Sequence, residues 1–579
     1  MEPLLDAPPD GFARPTGLRG WLCARWAVWA LLAVAAFTCL LGLGRDLTSP
    51  DEGRYAQIAE ELRSFEHGAR GLVLLHLNGA PYDQKPPLWF WLAALAGVPG
   101  GRVSEQAARL PSALAGIATL LLAVQLGTRM FGRRTGLVAG AVLLTAVEFA
   151  VLARRASLDA LLTGFTTLAL VAFWRWDRRR ENGRSALAWM HAALGLAVLT
   201  KGPVGFLVPV LAIAAYLAWE RRLRELRRVL PPWGLALSLG PGLAWLAAAT
   251  ALAPDGYLAS AVGDNLFGRF FVGTHEAPFY YYLTQFPQQF LPWTLAWPVV
   301  AWLGVRRIFA SSTDPEVTRA WRFLLCWVAV TLLFFSVSSG KRGIYLLPAY
   351  PGAALLCADA LVRWLEGRRA LPARAIAVSG AGLGLAAAGA AVVALVDPGW
   401  TGVSLRSFSV AILACAVAAA AALRLQARGR LPLAASASLL WLALAAAEVS
   451  SFLLLEPAID AQRSARELGA RVAAAAGQEQ PIVLFRERSL LGGLAYYSER
   501  RPVFLASRRA LRELLGRGEV VMVFERRDLA VVEEIARLGV EEHVEIGHEH
   551  FIVAAARSRD LSAAAVAAPA ERAIREAAR

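Results

Sequence analysis

Apolar positions in this chain gather into long uninterrupted runs from Trp26 to Leu454, separated by short polar and charged segments. A run of about 17–25 apolar residues is long enough to cross a bilayer as a helix. Such runs fall near 26–44, 107–127, 134–153, 157–175, 186–200, 203–219, 231–252, 291–308, 319–337, 343–364, 373–396, 407–425 and 431–454. They predict roughly thirteen membrane spans. The run Leu88–Val98 is too short to cross and predicts an interfacial or re-entrant helix. Two stretches between spans are long and polar, at about 45–106 and 253–290. In the first, Tyr55, Ile58, Leu62 and Phe65 recur at helical spacing and predict an amphipathic helix over Asp51–Phe65. Thr48-Ser49-Pro50 can start it, with two acidic residues in its first turn.

After Leu454 the pattern changes, and short runs with strand-like composition alternate with helix-like ones. Pro481–Phe485, Pro502–Leu505, Val520–Phe524 and His550–Ala555 predict strands; Ala461–Ala475, Arg508–Leu515 and Leu529–Leu538 predict helices. The expected fold class is therefore a polytopic α-helical membrane protein with helices in its outer loops and a small C-terminal α/β soluble domain. The expected divisions are a cytoplasmic segment 1–25, a transmembrane catalytic domain 26–455, an α/β domain 456–558 and a tail 559–579, either a loose helix or disordered.

Composition agrees with the pattern. Of 579 residues, 57% are apolar, which is a membrane composition rather than a globular one. The net charge of +15 could suggest nucleic acid. Its distribution gives a simpler account, because Arg and Lys concentrate in short loops at 128–134, 175–184, 220–228, 306–322, 363–374 and 424–430. If the first span has its N-terminus inside, beside Arg19 and Arg25, all of these loops fall in the cytoplasm, as the positive-inside rule expects. The α/β domain then lies outside. The first span lacks an obvious small-residue cleavage site and is expected to remain as a signal anchor. Cys39, Cys326, Cys357 and Cys415 lie in apolar runs and Cys23 in the N-terminal segment, so no disulfide framework is expected outside.

This orientation places the remaining charged clusters on the outer face. Asp51 and Glu52 start a helix; they are either a solvated first turn favoured by the dipole or general bases for an acceptor. Lys85, in Tyr82-Asp83-Gln84-Lys85-Pro86-Pro87, precedes the short apolar helix on a proline-stiffened segment, and either snorkels or binds phosphate. Arg154 and Arg155 oppose the charge rule, and Asp159 is one helical turn from Arg155 and can pair with it. Lys201 sits in the turn Thr200-Lys201-Gly202-Pro203. Arg269 is flanked by aromatic residues, and His275-Glu276 follow as an adjacent pair of metal ligands or an ordinary hydrogen-bonding loop. Ser339-Gly340-Lys341-Arg342 lacks the glycine spacing of a nucleotide-binding loop, and Lys341, Arg342 and Tyr345 suit a phosphate clamp. Together these cations, carboxylates and aromatics suit a lipid-linked phosphate whose leaving charge must be neutralised. The alternative is a transporter or flippase of lipid-linked sugars, which would place ionisable groups near the bilayer midplane.

The chain resembles the membrane glycosyltransferases of the C superfamily (GT-C), in the branch of the lipid A aminoarabinose transferases and the protein O-mannosyltransferases. The resemblance rests on Asp51-Glu52-Gly53-Arg54-Tyr55-Ala56, Lys85-Pro86-Pro87-Leu88, Arg109-Leu110-Pro111-Ser112, Ser157-Leu158-Asp159, Thr200-Lys201-Gly202-Pro203, Arg269 through His275 to Pro278 with Tyr280-Tyr281, and Lys341 through Tyr345 to Pro348. It implies transfer of a monosaccharide from an undecaprenyl-phosphate donor to lipid A, another glycan or a protein, at the outer face of the bacterial inner membrane. It implies Asp51 as catalytic carboxylate, Asp159 as accessory acid, and Lys85, Arg269 and Tyr345, joined by Lys341, as donor phosphate ligands. Glu52, Arg54, Tyr55, Tyr82, Asp83, Arg155 and Lys201 are expected to bind substrate. No cofactor is required, and a divalent metal on His275 and Glu276 is compatible with the pattern. Inversion at the anomeric carbon is implied. The chain departs from the aminoarabinose branch at Gln84, where an acidic residue usually precedes the lysine.

Overall fold

The computed structural model describes residues 25–178, 183–272, 277–309, 314–366, 405–477 and 480–559, with a few more between 388 and 396. The chain is a multi-pass membrane protein. Helices occupy the expected apolar runs, apart from 373–396, most of which lies outside the described residues. Among the described residues, seven helices are long and apolar enough to cross a membrane, or eight if the bent pair Arg133–Leu144 and Val147–Ala153 counts as one span. The expectation of roughly thirteen counted every apolar run. Val204–Trp219 has 16 residues, and Arg25–Leu40 has 16 within the described residues, which begin at Arg25. Leu88–Gly97 is a separate ten-residue helix, as its length predicted.

The helix Glu105–Phe131 is the longest, at 27 residues, or about 40 Å at 1.5 Å per residue. Ser104 caps it by accepting from the Ala107 N–H, and acidic Glu105 stands in its first turn. Leu158–Arg178 packs beside it and is largely buried in the protein, whereas Pro232–Leu252 and Ala435–Leu455 turn most of their surface outward. Such faces are covered by lipid in a bilayer.

The first loop is ordered as a platform over this bundle. Its helix Pro50–Arg63 begins with proline at the first position and Asp51 and Glu52 in the first turn. Tyr55, Ile58 and Leu62 are buried as their spacing predicted. Phe65 was expected in the same stripe, but it lies past the helix end with φ +55° and is 55% exposed. A short hairpin follows, β1 (His76–Leu77) against β2 (Ala80–Pro81). The Glu61 carboxylate accepts from the Asn78 and Gly79 N–H groups at 2.5 and 3.0 Å and so fixes the turn to the helix. Tyr55 packs between Trp89 and Phe90, which seats the short apolar helix beneath the platform.

The C-terminal α/β region carries a five-stranded mixed sheet of β3 (Ile482–Phe485), β4 (Val503–Leu505), β5 (Val520–Glu525), β6 (Ala536–Ile546) and β7 (Glu549–Ser558). The order is β4-β3-β5-β7-β6. The first three strands are parallel; β5–β7 and β6–β7 are antiparallel. The expected helix Leu529–Leu538 ends at Glu533, and Ala536 already begins β6. Pairing with β7 outweighs the helical spacing of that segment. A helix at Leu491–Ser498 was not expected, because Gly492-Gly493 reads as a turn. The expected tail beyond 559 lies outside the described residues.

Candidate active site

Charged groups from five separated segments converge around the N-terminus of the Pro50–Arg63 helix. Asp51 carries two guanidiniums, one on each oxygen: Arg54, one turn along the same helix, bonds Oδ1, and Arg342 bonds Oδ2 at 2.9 Å. Lys85 adds its positive charge to the same carboxylate. Burial pushes the Asp51 carboxyl up, but Arg54, Arg342 and Lys85 together outweigh it and hold the group below its ordinary value. Asp51 is therefore an anion at neutral pH.

A second carboxylate, Asp159, is 4% exposed and forms an ion pair with Lys201. The Lys201 ammonium lies 4.3 Å from the centroid of the Tyr345 ring. Asp159 and Tyr345 both act electrostatically on Arg342, which ties the two carboxylate groups into one site. Tyr282 fixes the Arg342 backbone, with its hydroxyl within 3.2 Å of both the N–H and the carbonyl. The expected pairing of Asp159 with Arg155 is replaced by the Lys201 pair, and Arg155 is exposed. Helical spacing allowed the local pair, but Lys201, 42 residues later, is brought in by the packing of two spans.

Glu52 was expected to touch substrate. It is 2% exposed and bonded to Arg109 at 3.0 Å and to the Ala156 N–H at 2.9 Å. Burial raises the Glu52 carboxyl, but Arg109 and these hydrogen bonds outweigh that and keep it below its ordinary value. Arg109 also donates to the carbonyls of Leu43 and Asp46 at 3.0 and 2.7 Å. The pair therefore fastens the first loop to the long span, and Glu52 acts beside the site without facing it. Sequence reasoning gave Arg109 no role in the site, although it marked the Arg109 segment as part of a motif.

The remaining expected residues surround this cluster in part. Tyr55 and Tyr82 are buried against Phe90. Asp83 accepts from the Ser260 hydroxyl, joining the first loop to the second. Lys341 is 6% exposed and donates to the Ser338 carbonyl at 2.6 Å. It also lines an open groove of about 550 Å³ with Phe271, Phe279, Leu333 and Val337. Ser336, Ser339 and Ala277 complete its lining, so apolar side chains alternate with polar groups and one cation. Arg269 lies in the helical segment Ala259–Val272, and its side chain is outside the described part. His275 and Glu276 also lie outside the described residues.

The balance of charge limits the chemistry. Two carboxylates, Asp51 and Asp159, meet four cations, Arg54, Arg342, Lys85 and Lys201. Positive groups thus press on Asp51 from several sides, and the buried Arg54 Nε has no hydrogen-bond partner among the described residues. A buried donor without a partner is costly and leaves room for an acceptor at this point.

Comparison with known proteins bears on the fold. The family model described as dolichyl-phosphate-mannose-protein mannosyltransferase matches residues 27–254. The fold aligns with the crystal structure of ArnT from Cupriavidus metallidurans bound to undecaprenyl phosphate, with a TM-score of 0.73, 22% identity, and coverage of 92% of this chain and 98% of the other. This is the GT-C fold. Curated relatives include the undecaprenyl phosphate-alpha-4-amino-4-deoxy-L-arabinose arabinosyl transferase 2 of Pseudomonas fluorescens (strain Pf0-1), 30% identical over 354 residues, 59% of this chain and 62% of the relative. A second is the corresponding arabinosyl transferase of Pseudomonas savastanoi pv. phaseolicola (strain 1448A / Race 6), 32% identical over 362 residues, 60% of this chain and 63% of the relative. The matched part thus spans a little over three-fifths of these relatives. Within the GT-C fold, the Asp51 cluster occupies one end of the span bundle, between the bundle and the loop platform.

Proposed function

We propose that this chain is a glycosyltransferase of the bacterial inner membrane. It moves a monosaccharide from an undecaprenyl-phosphate donor to an acceptor at the periplasmic face, where the C-terminal α/β region also lies. The positive charge around an ionised Asp51 carries this reading. A polyprenyl-phosphate sugar supplies an anion for that charge and an apolar tail for the groove beside Lys341. The relatives' donor makes 4-amino-4-deoxy-L-arabinose the sugar to test first, with lipid A as the first acceptor and other glycans and proteins next.

In the proposed step the acceptor hydroxyl gives its proton to Asp51, and its oxygen forms a bond to the anomeric carbon. The bond from that carbon to the phosphate oxygen breaks, and polyprenyl phosphate leaves with the electron pair. Attack opposite the leaving group inverts the anomeric centre. Lys85, Arg342 and the Tyr345 hydroxyl stabilise the phosphate, with Arg269 and Lys341 assigned to the same anion. Asp159 holds Lys201 against Tyr345 and so orients the ring. The step uses no nucleotide and no redox group, and we assign it no obligatory metal.

The test supplies purified protein with undecaprenyl-phosphate-linked 4-amino-4-deoxy-L-arabinose and lipid A, and follows release of undecaprenyl phosphate with formation of the glycosylated acceptor. Transport of the donor across liposomes with no release of undecaprenyl phosphate, for this and other sugars and acceptors, would replace the reading with a flippase.

A further inference from the structure

The C-terminal α/β region touches the loop platform at the residues that carry the site. Its helix Leu491–Ser498 crosses the Pro50–Arg63 helix, and glycines face each other there. A Cβ placed on Gly492 would stand 2.3 Å from the Arg54 Cα and 2.6 Å from its nitrogen. A Cβ on Gly53 would stand 2.7 Å from the Gly493 Cα. No heavy atom fits at such distances, so the backbones meet only because both helices carry glycine here. Glycine is otherwise a poor helix residue, and neither Gly492 nor Gly493 has the positive φ that would require it. Close approach is the remaining reason for the pair.

The same region holds the chain on the other side of Asp51. The Tyr497 hydroxyl accepts from the Leu47 N–H at 2.7 Å, and Arg466 donates to Asp46 at 2.7 Å. Asp51 therefore lies between two points of contact, at residues 46–47 and 53–54. Arg54, pressed by Gly492, is also a partner of the Asp51 carboxylate.

We propose that Gly492 is a positioning residue for the transfer reaction: its contact with the Arg54 backbone sets where Asp51 stands relative to Arg342 and the Lys201–Asp159 pair. This rests on the transferase reading, and it gives the C-terminal region a part in catalysis without substrate contact. A displacement of about 1 Å at a reacting group costs on the order of a hundredfold in rate.

The experiment compares wild type, Gly492→Ala and Gly477→Ala, the last at a glycine whose Cβ would meet nothing closer than 4.0 Å. Release of undecaprenyl phosphate is measured against donor concentration and pH, and thermal stability alongside. Gly492→Ala is expected to lower kcat at least about tenfold, with donor KM within about twofold, and to lower the melting temperature as well, because the new Cβ meets backbone. Its acidic pH limb should also move, because the charged and titratable groups facing Asp51 are Arg54, Arg342, Lys85 and Tyr55, and Arg54 is the one displaced. Gly477→Ala should match wild type. Should Gly492→Ala fail to fold, Tyr497→Phe decides; it removes only the Leu47 acceptor and should lower kcat several-fold with donor KM kept. Wild-type kcat and an unmoved pH limb in a folded Gly492→Ala, or wild-type kcat in Tyr497→Phe where Gly492→Ala does not fold, would overturn the inference. A wild type that releases no undecaprenyl phosphate would instead sink the transferase reading itself.

Discussion

Asp51 holds its two guanidinium partners differently. Arg54 is one turn away on the same helix, while Arg342 comes from a distant loop and is 40% exposed at its side chain. Asp51→Asn keeps the shape and removes the base, so turnover should fall by about 10²–10⁴ in a protein that still folds, with some loss of melting temperature because Arg54 and Arg342 lose their carboxylate; release of undecaprenyl phosphate measures it. Arg342→Gln tests the electrostatics. The Asp51 carboxyl is held below its ordinary value, so in wild type the base remains ionised as pH falls through the usual carboxylate range. Removing Arg342 raises that pKa, and the acidic limb of kcat/KM should shift to higher pH. An unshifted limb in the pH–rate profile would remove Arg342 as a partner of the base. Asp51 and Lys85 stood out in sequence because a charged helix start and a proline-stiffened lysine are local features. Lys201 as the partner of Asp159 was not readable, since only the packing of Leu158–Arg178 against Gly183–Lys201 brings them together.

Among the elements, the first loop depends on the Glu52–Arg109 pair. Both side chains are almost fully buried, at 3% and 2% exposure. Such a pair contributes little net stability when intact, but removing one partner leaves an uncompensated buried charge. Arg109→Ala should therefore lower stability by about 3–5 kcal/mol, read as a drop in melting temperature in detergent. Arg109→Ala combined with Glu52→Gln should recover part of the loss, because the stranded charge is gone. The helix Pro50–Arg63 was legible because three of its four spaced apolar residues do form the buried stripe. Phe65 failed because the helix ends at Arg63, and periodicity carries no information about where a helix stops. The strand Ala536–Ile546 was hidden for a related reason: its long pairing with β7 is non-local, while Leu529–Leu538 reads locally as helix.

At the scale of the whole molecule, the apolar pattern located the helices, and seven or eight of those among the described residues are long and apolar enough to cross. Periodicity does not give helix length, and three apolar helices among the described residues, Trp26–Leu40, Leu88–Gly97 and Val204–Trp219, have 10–17 residues. Orientation is testable directly. Single cysteines placed at Glu499 and at Arg424, in a chain whose own cysteines are replaced, should react with an impermeant thiol reagent from opposite sides of intact cells. Labelling is expected from the periplasm at Glu499 and only after permeabilisation at Arg424. The reverse pattern would put the Asp51 cluster in the cytoplasm and end the proposed use of a periplasmic acceptor.

The grip of the C-terminal region on residues 46–54 also has a consequence for biogenesis. The first loop emerges from the ribosome well before the chain that clasps it, since Leu47 and Tyr497 are 450 residues apart. A polypeptide that stalls after its final span would already hold Asp51, Asp159 and the lysines in the membrane, yet lack what aligns them. If the proposed positioning holds, a chain truncated after Leu455 is expected to release no undecaprenyl phosphate.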